Sequence, residues 1–381
     1  MCGYVFLEVK MKVLHVISDT NIGGAGILLC TLLKHLDREH VNSIVALPRG
    51  GALLPRIEAL SVPIVELSTS PDRFHAHSVQ ELSELIRREQ VDVVHTNAAI
   101  SARIAGKRCG VAVVHTRHCC FPVEKSLWSL PTRTAKAFLN RILSDRVIAT
   151  AEAAAENLIS LGIPRKKIEL IINGSDPIRS VPIEEREAFL SRWNIPKDAF
   201  LIGMSARLVP CKGHETLLAA AKILLHRMPN RNLRFLLAGD GPHRAYLEEL
   251  TERLGLSGNV HFLGFLEDVA PFYRSIYLNV NCSTGTETSC LALSEGMSAG
   301  VPMIVSDFGG NRAMVGNSRA GIVFPAGNAD ALADAIARIA SDPTLEKQMR
   351  TAAAHRYHTH YTAAQMADKV TGVYEQVLLK K

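Results

Sequence analysis

The sequence predicts an α/β protein made of two doubly wound domains, each a parallel sheet with helices on both faces. Three observations predict it. Short apolar runs rich in Val, Ile and Leu alternate with helical patterns almost from end to end. These runs lack polar alternation, as strands covered on both faces do. The chain, at 381 residues, is too long for one ordinary core and long enough for two.

In the first half the runs at Lys12–Ile17, Ser43–Leu47, Pro63–Leu67, Val91–His95, Val111–Thr116, Arg146–Thr150 and Ile168–Ile172 read as strands. Helical patterns lie between them at Gly24–Leu36, Val79–Glu89, Thr132–Leu143 and Ala151–Leu161. From Arg179 to Asp198 the pattern lapses into a polar, Pro-containing stretch with a short helical piece, which marks a domain boundary. Strands resume at Phe200–Ala206, Leu233–Ala238, Val260–Leu263, Leu278–Asn281, Met303–Ser306 and Gly321–Phe324. Helices at Gly213–Arg227, Arg244–Leu254 and Ala329–Ala340 separate several of them. A last helix, about Ala363–Leu379, carries Met366, Val370, Val373, Val377 and Leu378 on one face, which must pack on something. The domains are therefore placed at 1–178 and 179–361, with 362–381 as a helix packing back towards the first.

Composition narrows the function. Hydrophobic residues make up 47% and charged residues 21%, an ordinary globular balance. No apolar run reaches the ~18 residues of a transmembrane helix. The first ten residues lack the basic and apolar regions of a signal peptide and read as an extension ahead of Met11 or a start-site artefact. Eight cysteines form no C-x-x-C pair and no zinc-like spacing, which fits reduced thiols and a cytoplasmic chain. The net charge of +6 is unevenly placed. Arg103, Lys107, Arg108, Arg117, Lys125, Arg133, Lys136, Arg141 and Arg146 face only Glu124 and Asp145. Phe121, Leu127, Trp128, Leu130, Phe138 and Leu139 lie among those cations. The stretch suits peripheral contact with an anionic membrane surface at the inner face of the cell membrane, or a core-packed helix with solvated cations.

Chemistry concentrates at strand ends. After the strand Phe200–Ala206, Arg207 and Lys212 stand five apart before Gly213 and a helix, so both can face one polyanion beside a helix start. Solvated surface cations are the plain alternative. Glu287 and Glu295, eight apart, straddle a helix start, the first in the loop and the second inside the helix. A carboxylate beside a phosphate site is awkward unless it accepts hydrogen bonds from hydroxyls, which sugars and ribose supply. The amides of Ser289, Cys290 and Leu291 would point at a diphosphate. Gly239 and the turn Ser306–Asn311 are further strand-end glycine segments where backbone can approach a ligand. In the first half, Gly23, Gly24 and Gly26 follow a strand and open a helix, but not with the G-x-G-x-x-G spacing of dinucleotide binders. Asn97, Arg117 and His118 sit just past two strand ends.

Together, E-x7-E (Glu287 to Glu295), R-x4-K-G (Arg207, Lys212, Gly213), Gly239-Asp-Gly-Pro and Phe262–Phe265 resemble family-4 retaining glycosyltransferases of the GT-B fold, over nearly the whole chain. The resemblance implies two Rossmann-like domains facing a cleft, an acceptor domain first and a nucleotide-sugar donor domain second. It implies that Glu295 holds ribose hydroxyls and Glu287 the transferred sugar. Arg207 and Lys212 would hold the diphosphate, and backbone near Phe265 would read the base. The loop at Gly23 and Gly24 would approach the donor phosphate or the acceptor, His118 would touch the transferred sugar, and Asn97 and Arg117 would lie on the acceptor side. Catalysis would rest on His118, Glu287, Arg207 and Lys212.

Two departures stand out: Ala313 where the family often has Glu, and Asn97 where it usually has His. No Asp-x-Asp occurs, so no obligatory metal and no cofactor are expected, the protein's own cations taking that role. The expected partners are a nucleotide-sugar donor, UDP-linked or GDP-mannose, and a hydroxyl acceptor: a saccharide, a lipid-linked saccharide or a small molecule. Nucleic acid is not expected. Surface polysaccharide or glycoconjugate synthesis is the expected setting. A nucleotide-sugar 2-epimerase, a phosphorylase-like enzyme and a non-catalytic donor-binding subunit share the fold and stay as alternatives.

Overall fold

The structure, a computed structural model, describes residues 10–97, 99–118, 138–285 and 287–380. It divides into two compact units: one runs to Gly174 and takes back Ala363–Lys381, the other is Ser175–Thr362.

The first unit contains β1 (Met11–Ile17), β2 (Val41–Pro48), β3 (Ile64–Leu67), β4 (Val93–Asn97), β5 (Ala112–Arg117), β6 (Arg146–Ala149) and β7 (Ile168–Leu170). Its helices are α1 (Gly24–His35), α2 (Leu54–Glu58), α3 (Ala76–Arg88), α4 (Ile100–Arg108) and α5 (Glu152–Ser160). The sheet is parallel, in the order β3-β2-β1-β4-β5-β6-β7. Strand β1 shows why its sequence is mostly apolar. Leu14 and Val16 pack with Val79, Leu82 and Ile86 of α3, while Ile17 packs with Leu29 and Leu33 of α1 on the other side. Each fully buried side chain of this kind is worth ~1.5–3 kcal/mol.

The second unit contains β8 (Phe200–Ser205), β9 (Leu233–Ala238), β10 (Val260–Gly264), β11 (Leu278–Asn281), β12 (Met303–Ser306) and β13 (Gly321–Phe324). Their order is β10-β9-β8-β11-β12-β13, again parallel. Around them lie α6 (Ile183–Arg192), α7 (His214–Arg227), α8 (Arg244–Arg253), α9 (Ala270–Ser275), α10 (Leu291–Ser298), α11 (Asn311–Val315), α12 (Ala329–Ala340) and α13 (Pro343–His360). One core joins Ile202, Met204, Phe235 and Val280 of the sheet to Leu217 and Leu224 of α7 and Ile336 of α12.

The final helix, α14 (Ala363–Leu378), belongs to the first unit and buries Met366, Val370, Val373, Tyr374 and Val377 there. The Tyr374 hydroxyl lies 2.6 Å from His95 Nδ1, which anchors the helix to β4. The division between units falls a few residues before the polar stretch at Arg179. Ser175 is the reason: its N–H donates to the Tyr361 carbonyl, and its own carbonyl accepts from Tyr357 Oη at 2.8 Å. Of the expected helix Thr132–Leu143, residues 132–137 lie outside the described residues, and 138–142 are helical.

Each sheet reverses its winding once, between β1 and β4 in the first unit and between β8 and β11 in the second. In open α/β sheets a crevice for ligands opens at the carboxyl ends of the strands at that reversal.

Candidate functional site

In the second unit the reversal is where the polar motifs gather. Strand β8 leads into Arg207, which is exposed, and then into a 3-10 turn, Pro210–Lys212. Gly213 follows with φ of +69°, and a Cβ there would collide with the carbonyl oxygen of Cys282. Only glycine allows this close, left-handed turn. The loop leaving β11 is tied to it, because Thr284 N–H donates to the Cys211 carbonyl at 2.9 Å. Lys212 and Glu287 are thereby brought together.

Lys212 Nζ donates to Glu287 Oε2 at 2.6 Å, and the Ser283 hydroxyl donates to the same oxygen at 2.7 Å. Burial alone would raise the Glu287 carboxyl, but the charge and hydrogen bond of Lys212, with those of Ser283 and Asn281, hold it below its usual value. Burial likewise opposes the Lys212 charge, and Glu287 outweighs it, so the ammonium is held above its usual value. The pair is a charged one, and it is shielded: the Lys212 side chain is 21% exposed and that of Glu287 only 7%.

Behind the pair lies a buried polar network. Asn281 Oδ1 accepts from Ser283 N–H at 3.0 Å and from Asn311 Nδ2 at 3.2 Å. Asn311 also donates to Ser306 Oγ, which donates to the Ser283 carbonyl at 2.7 Å. Gly309, with φ of +60°, lets the turn after β12 lie directly on the Glu287 carbonyl, where a Cβ would collide. Sequence reasoning found the glycine turn but missed Asn281, Ser283, Ser306 and Asn311. Their only signal is a run of small polar residues at strand ends, and that is common in loops.

The start of α10 sits beside this pair. Cys290 is its N-cap, and Asn281 Nδ2 donates to the Cys290 sulfur at 3.2 Å. Burial, with Glu287 next, pushes the Cys290 thiol up to about 12, so it is a neutral group in this site. Ser289 is buried and Leu291 opens the helix. Glu295 lies in its second turn and accepts from Tyr273 Oη at 2.9 Å. On the other side of β8, Gly239 N–H donates to the Gly264 carbonyl at 2.7 Å, which draws the ends of β9 and β10 together. Phe265 follows, 55% exposed.

In the first unit Asn97 ends β4 and His118 follows β5, and the structure joins them: His118 Nε2 lies 2.7 Å from Asn97 Oδ1. Burial and then the charge of Arg117 pull the His118 imidazole down to about 4, so it is neutral near pH 7. A pocket beside them is lined by polar strand-end residues, Asn97, Thr116, His118 and Thr150, under Leu28 and Leu32 of α1 and Met366 of α14. Arg117 ends β5, and its carbonyl accepts from Thr150 Oγ1 at 3.2 Å. Gly23 is the N-cap of α1, and a Cβ on Gly24 would meet nothing within 4 Å, so no neighbour crowds the start of α1 at that position.

The basic stretch Arg103–Arg146 is only partly a surface. Arg103 is buried and donates to Ser144 Oγ at 3.2 Å, so it serves the interior of the unit, while the partly exposed Lys107 pairs with Asp145 at 2.5 Å. Phe138 and Leu139 are exposed, and Phe121, Leu127, Trp128 and Leu130 lie outside the described residues. No helix among the described residues is long and apolar enough to cross a membrane.

Comparison with known proteins agrees with this fold. Residues 22–179 match the profile of Glycosyltransferase Family 4, and residues 185–356 match that of Glycosyl transferases group 1. Over 278 residues the chain is 29% identical to a GDP-mannose-dependent alpha-mannosyltransferase of Mycobacterium tuberculosis, covering 72% of this chain and 68% of that protein. It is 26% identical to a D-inositol 3-phosphate glycosyltransferase of Streptomyces scabiei over 91% of this chain and 85% of that protein. Among solved structures, Anabaena Alr3699/HepE in complex with UDP superposes with a TM-score of 0.83 at 21% identity, covering 96% of this chain and 100% of that one. The fold is that of the two-domain GT-B glycosyltransferases, and both profile matches are to glycosyltransferases. Within that class its likeness is to family 4.

Proposed function

We propose that the chain transfers a sugar, with retention of configuration, from a UDP-sugar to a hydroxyl of a saccharide or lipid-linked saccharide, as surface polysaccharide or glycoconjugate synthesis requires. The observation that carries this reading is the pairing of Lys212 with Glu287 beside the start of α10, at the winding reversal of the second unit where β8 also leads into Arg207. As the bond from the anomeric carbon to the diphosphate breaks, negative charge gathers on the leaving phosphate oxygens. Arg207, Lys212 and the amides of Ser289, Cys290 and Leu291 stabilise that charge as it forms, in a partly dry site where such contacts are strongest. A leaving-phosphate oxygen takes the proton of the acceptor hydroxyl as that hydroxyl attacks the same face of the sugar.

Glu295 accepts from the ribose hydroxyls and Glu287 from the transferred sugar, while backbone at Phe265 meets the base. His118 contacts the transferred sugar as a neutral imidazole, with Asn97 and Arg117 on the acceptor side. GDP-mannose is the second donor to test, because the Mycobacterium relative is named for it. Peripheral contact with an anionic membrane would bring a lipid-linked acceptor to the enzyme, and flotation with anionic against neutral vesicles tests it.

The experiment is a thermal-shift panel of nucleotide sugars followed by transfer assays. A donor at 100 times its dissociation constant stabilises by ~2.7 kcal/mol. The expected result is stabilisation by a UDP-sugar or GDP-mannose, and a product whose anomeric configuration matches the donor. A C2 epimer formed from donor alone would make the protein an epimerase, and binding without turnover a donor-binding subunit.

A further inference from the structure

Glu295 carries a partner that the motif does not include. Tyr273, on α9, places its phenol oxygen 2.9 Å from Glu295 Oε2 and 3.2 Å from the Ala292 carbonyl. A phenol has one proton to give. The carboxylate is the nearer and the charged acceptor, so the Tyr273 proton goes to it, while the Ala292 carbonyl accepts from Asn279 Nδ2 at 2.8 Å. Tyr273 is wholly buried, its ring set edge-on to Phe272 with centroids 5.0 Å apart, and Ser205 at the end of β8 is hydrogen-bonded to the same phenol. The side chain is thus fixed at both ends and cannot turn away.

We propose that Tyr273 is a positioning residue for nucleotide binding: its phenol holds the Glu295 carboxylate charged and aimed to receive two ribose hydroxyls. This rests on the reading of Glu295 as the ribose acceptor. Burial pushes the Glu295 carboxyl above its usual value, and the Tyr273 hydrogen bond is what opposes it. Among the described residues no cation takes over. Arg274 of α9 donates to the Ala299 carbonyl and Arg350 of α13 to the Gly300 carbonyl, both beyond the far end of α10. Cys290 at the near end is a neutral thiol, and β11 and β12 present Asn279 and Met303, which do not titrate. A protonated Glu295 would lose the charge-assisted acceptor that ribose needs. Nucleotide affinity should therefore fall as pH drops through the Glu295 titration, and Tyr273 sets where that happens.

The test is calorimetric affinity for UDP between pH 5 and pH 8, on the full chain. In Tyr273→Phe the acid limb should move to higher pH, with affinity weaker than wild type on the acid side and close to wild type at pH 8. Replacing Tyr273 by 3-fluorotyrosine, a stronger donor that keeps the ring, should move the limb the other way, and it serves if the phenylalanine variant folds poorly. In Glu295→Gln the part of the limb that belongs to Glu295 should vanish, leaving only the titration of the terminal phosphate of UDP at about pH 6, and adding Tyr273→Phe should change nothing further. A Tyr273→Phe profile that tracks wild type, or an equal loss in the Glu295→Gln background, overturns the proposal while leaving Glu295 in its role. Wild-type UDP affinity in Glu295→Gln alone would remove that role, and this proposal with it.

Discussion

Lys212 and Glu287 are 75 residues apart in sequence and 2.6 Å apart in the structure. Their partnership changes what each can be expected to do. A diphosphate arriving at this site competes with Glu287 for the Lys212 ammonium. Glu287→Gln should therefore leave UDP affinity unchanged or tighter, while transfer falls by ~10²-fold or more because the sugar loses its acceptor. The unliganded variant should also melt earlier, since a shielded cation left without its partner can cost ~3–5 kcal/mol, and UDP should restore more stability than it adds to wild type. Paired calorimetry and melts check this, and weaker UDP binding in the variant would contradict it. At this scale the identities of Arg207, Lys212, Glu287 and Glu295 were legible because their spacing against strand ends is a local property. Who holds them was not: Ser283 and Asn281 meet Glu287, and Tyr273 meets Glu295, through contacts made only when β11 and α9 are brought to the start of α10.

The strand–helix alternation was legible for a different reason, since parallel strands covered on both faces run mostly apolar, as β1, β8 and β9 do apart from Lys12, His15, Ser205 and Arg234. Helix α13 was harder. Over 18 residues it buries only Met349, Ala353 and Tyr357, so it has little apolar stripe to read. The turn before α7 shows how an element delivers a site residue. Gly213 was read as part of a motif, and the structure gives the physical need for it: a φ of +69° against the Cys282 carbonyl. Gly213→Ala should displace the 3-10 turn that carries Lys212. Backbone strain of this kind costs ~1–3 kcal/mol before any loss of contacts. Thermal melts should show that destabilisation, and turnover per folded molecule should drop with it. A variant with normal turnover would mean that Lys212 does not depend on this turn.

At the scale of the molecule, the first unit carries a charge-state liability. His15, His95, His115 and His118 are held neutral, in each case chiefly by burial. His15 is pulled down to about 3 and His118 to about 4. In the unfolded chain each imidazole takes a proton near pH 6.5. Their contribution to stability is thus fully present above that pH and is lost as pH falls from about 6.5 towards 4. For His15 alone the loss at pH 5 is about 2 kcal/mol. The melting temperature should fall steeply between pH 7 and pH 5, and His15→Gln should flatten part of that slope. A melting temperature that is level over this range would contradict the buried-neutral account. Composition gave no hint of it, because the count of 15 histidines does not say which of them the sheet encloses.

The central claim is that the carboxyl edge of the second unit stabilises a departing nucleoside diphosphate with the protein's own cations. Steady-state kinetics of Arg207→Ala and Lys212→Ala, with the donor that the thermal panel identifies, test it most directly. Charge on the leaving phosphate peaks in the transition state, so each variant should lower kcat by ~10²-fold or more while KM for the donor changes far less. Turnover should persist in the parent enzyme when divalent metal is chelated. Unchanged kcat with a raised KM would reduce the two cations to ground-state binding, and activity that disappears with chelator and returns with magnesium would contradict the account.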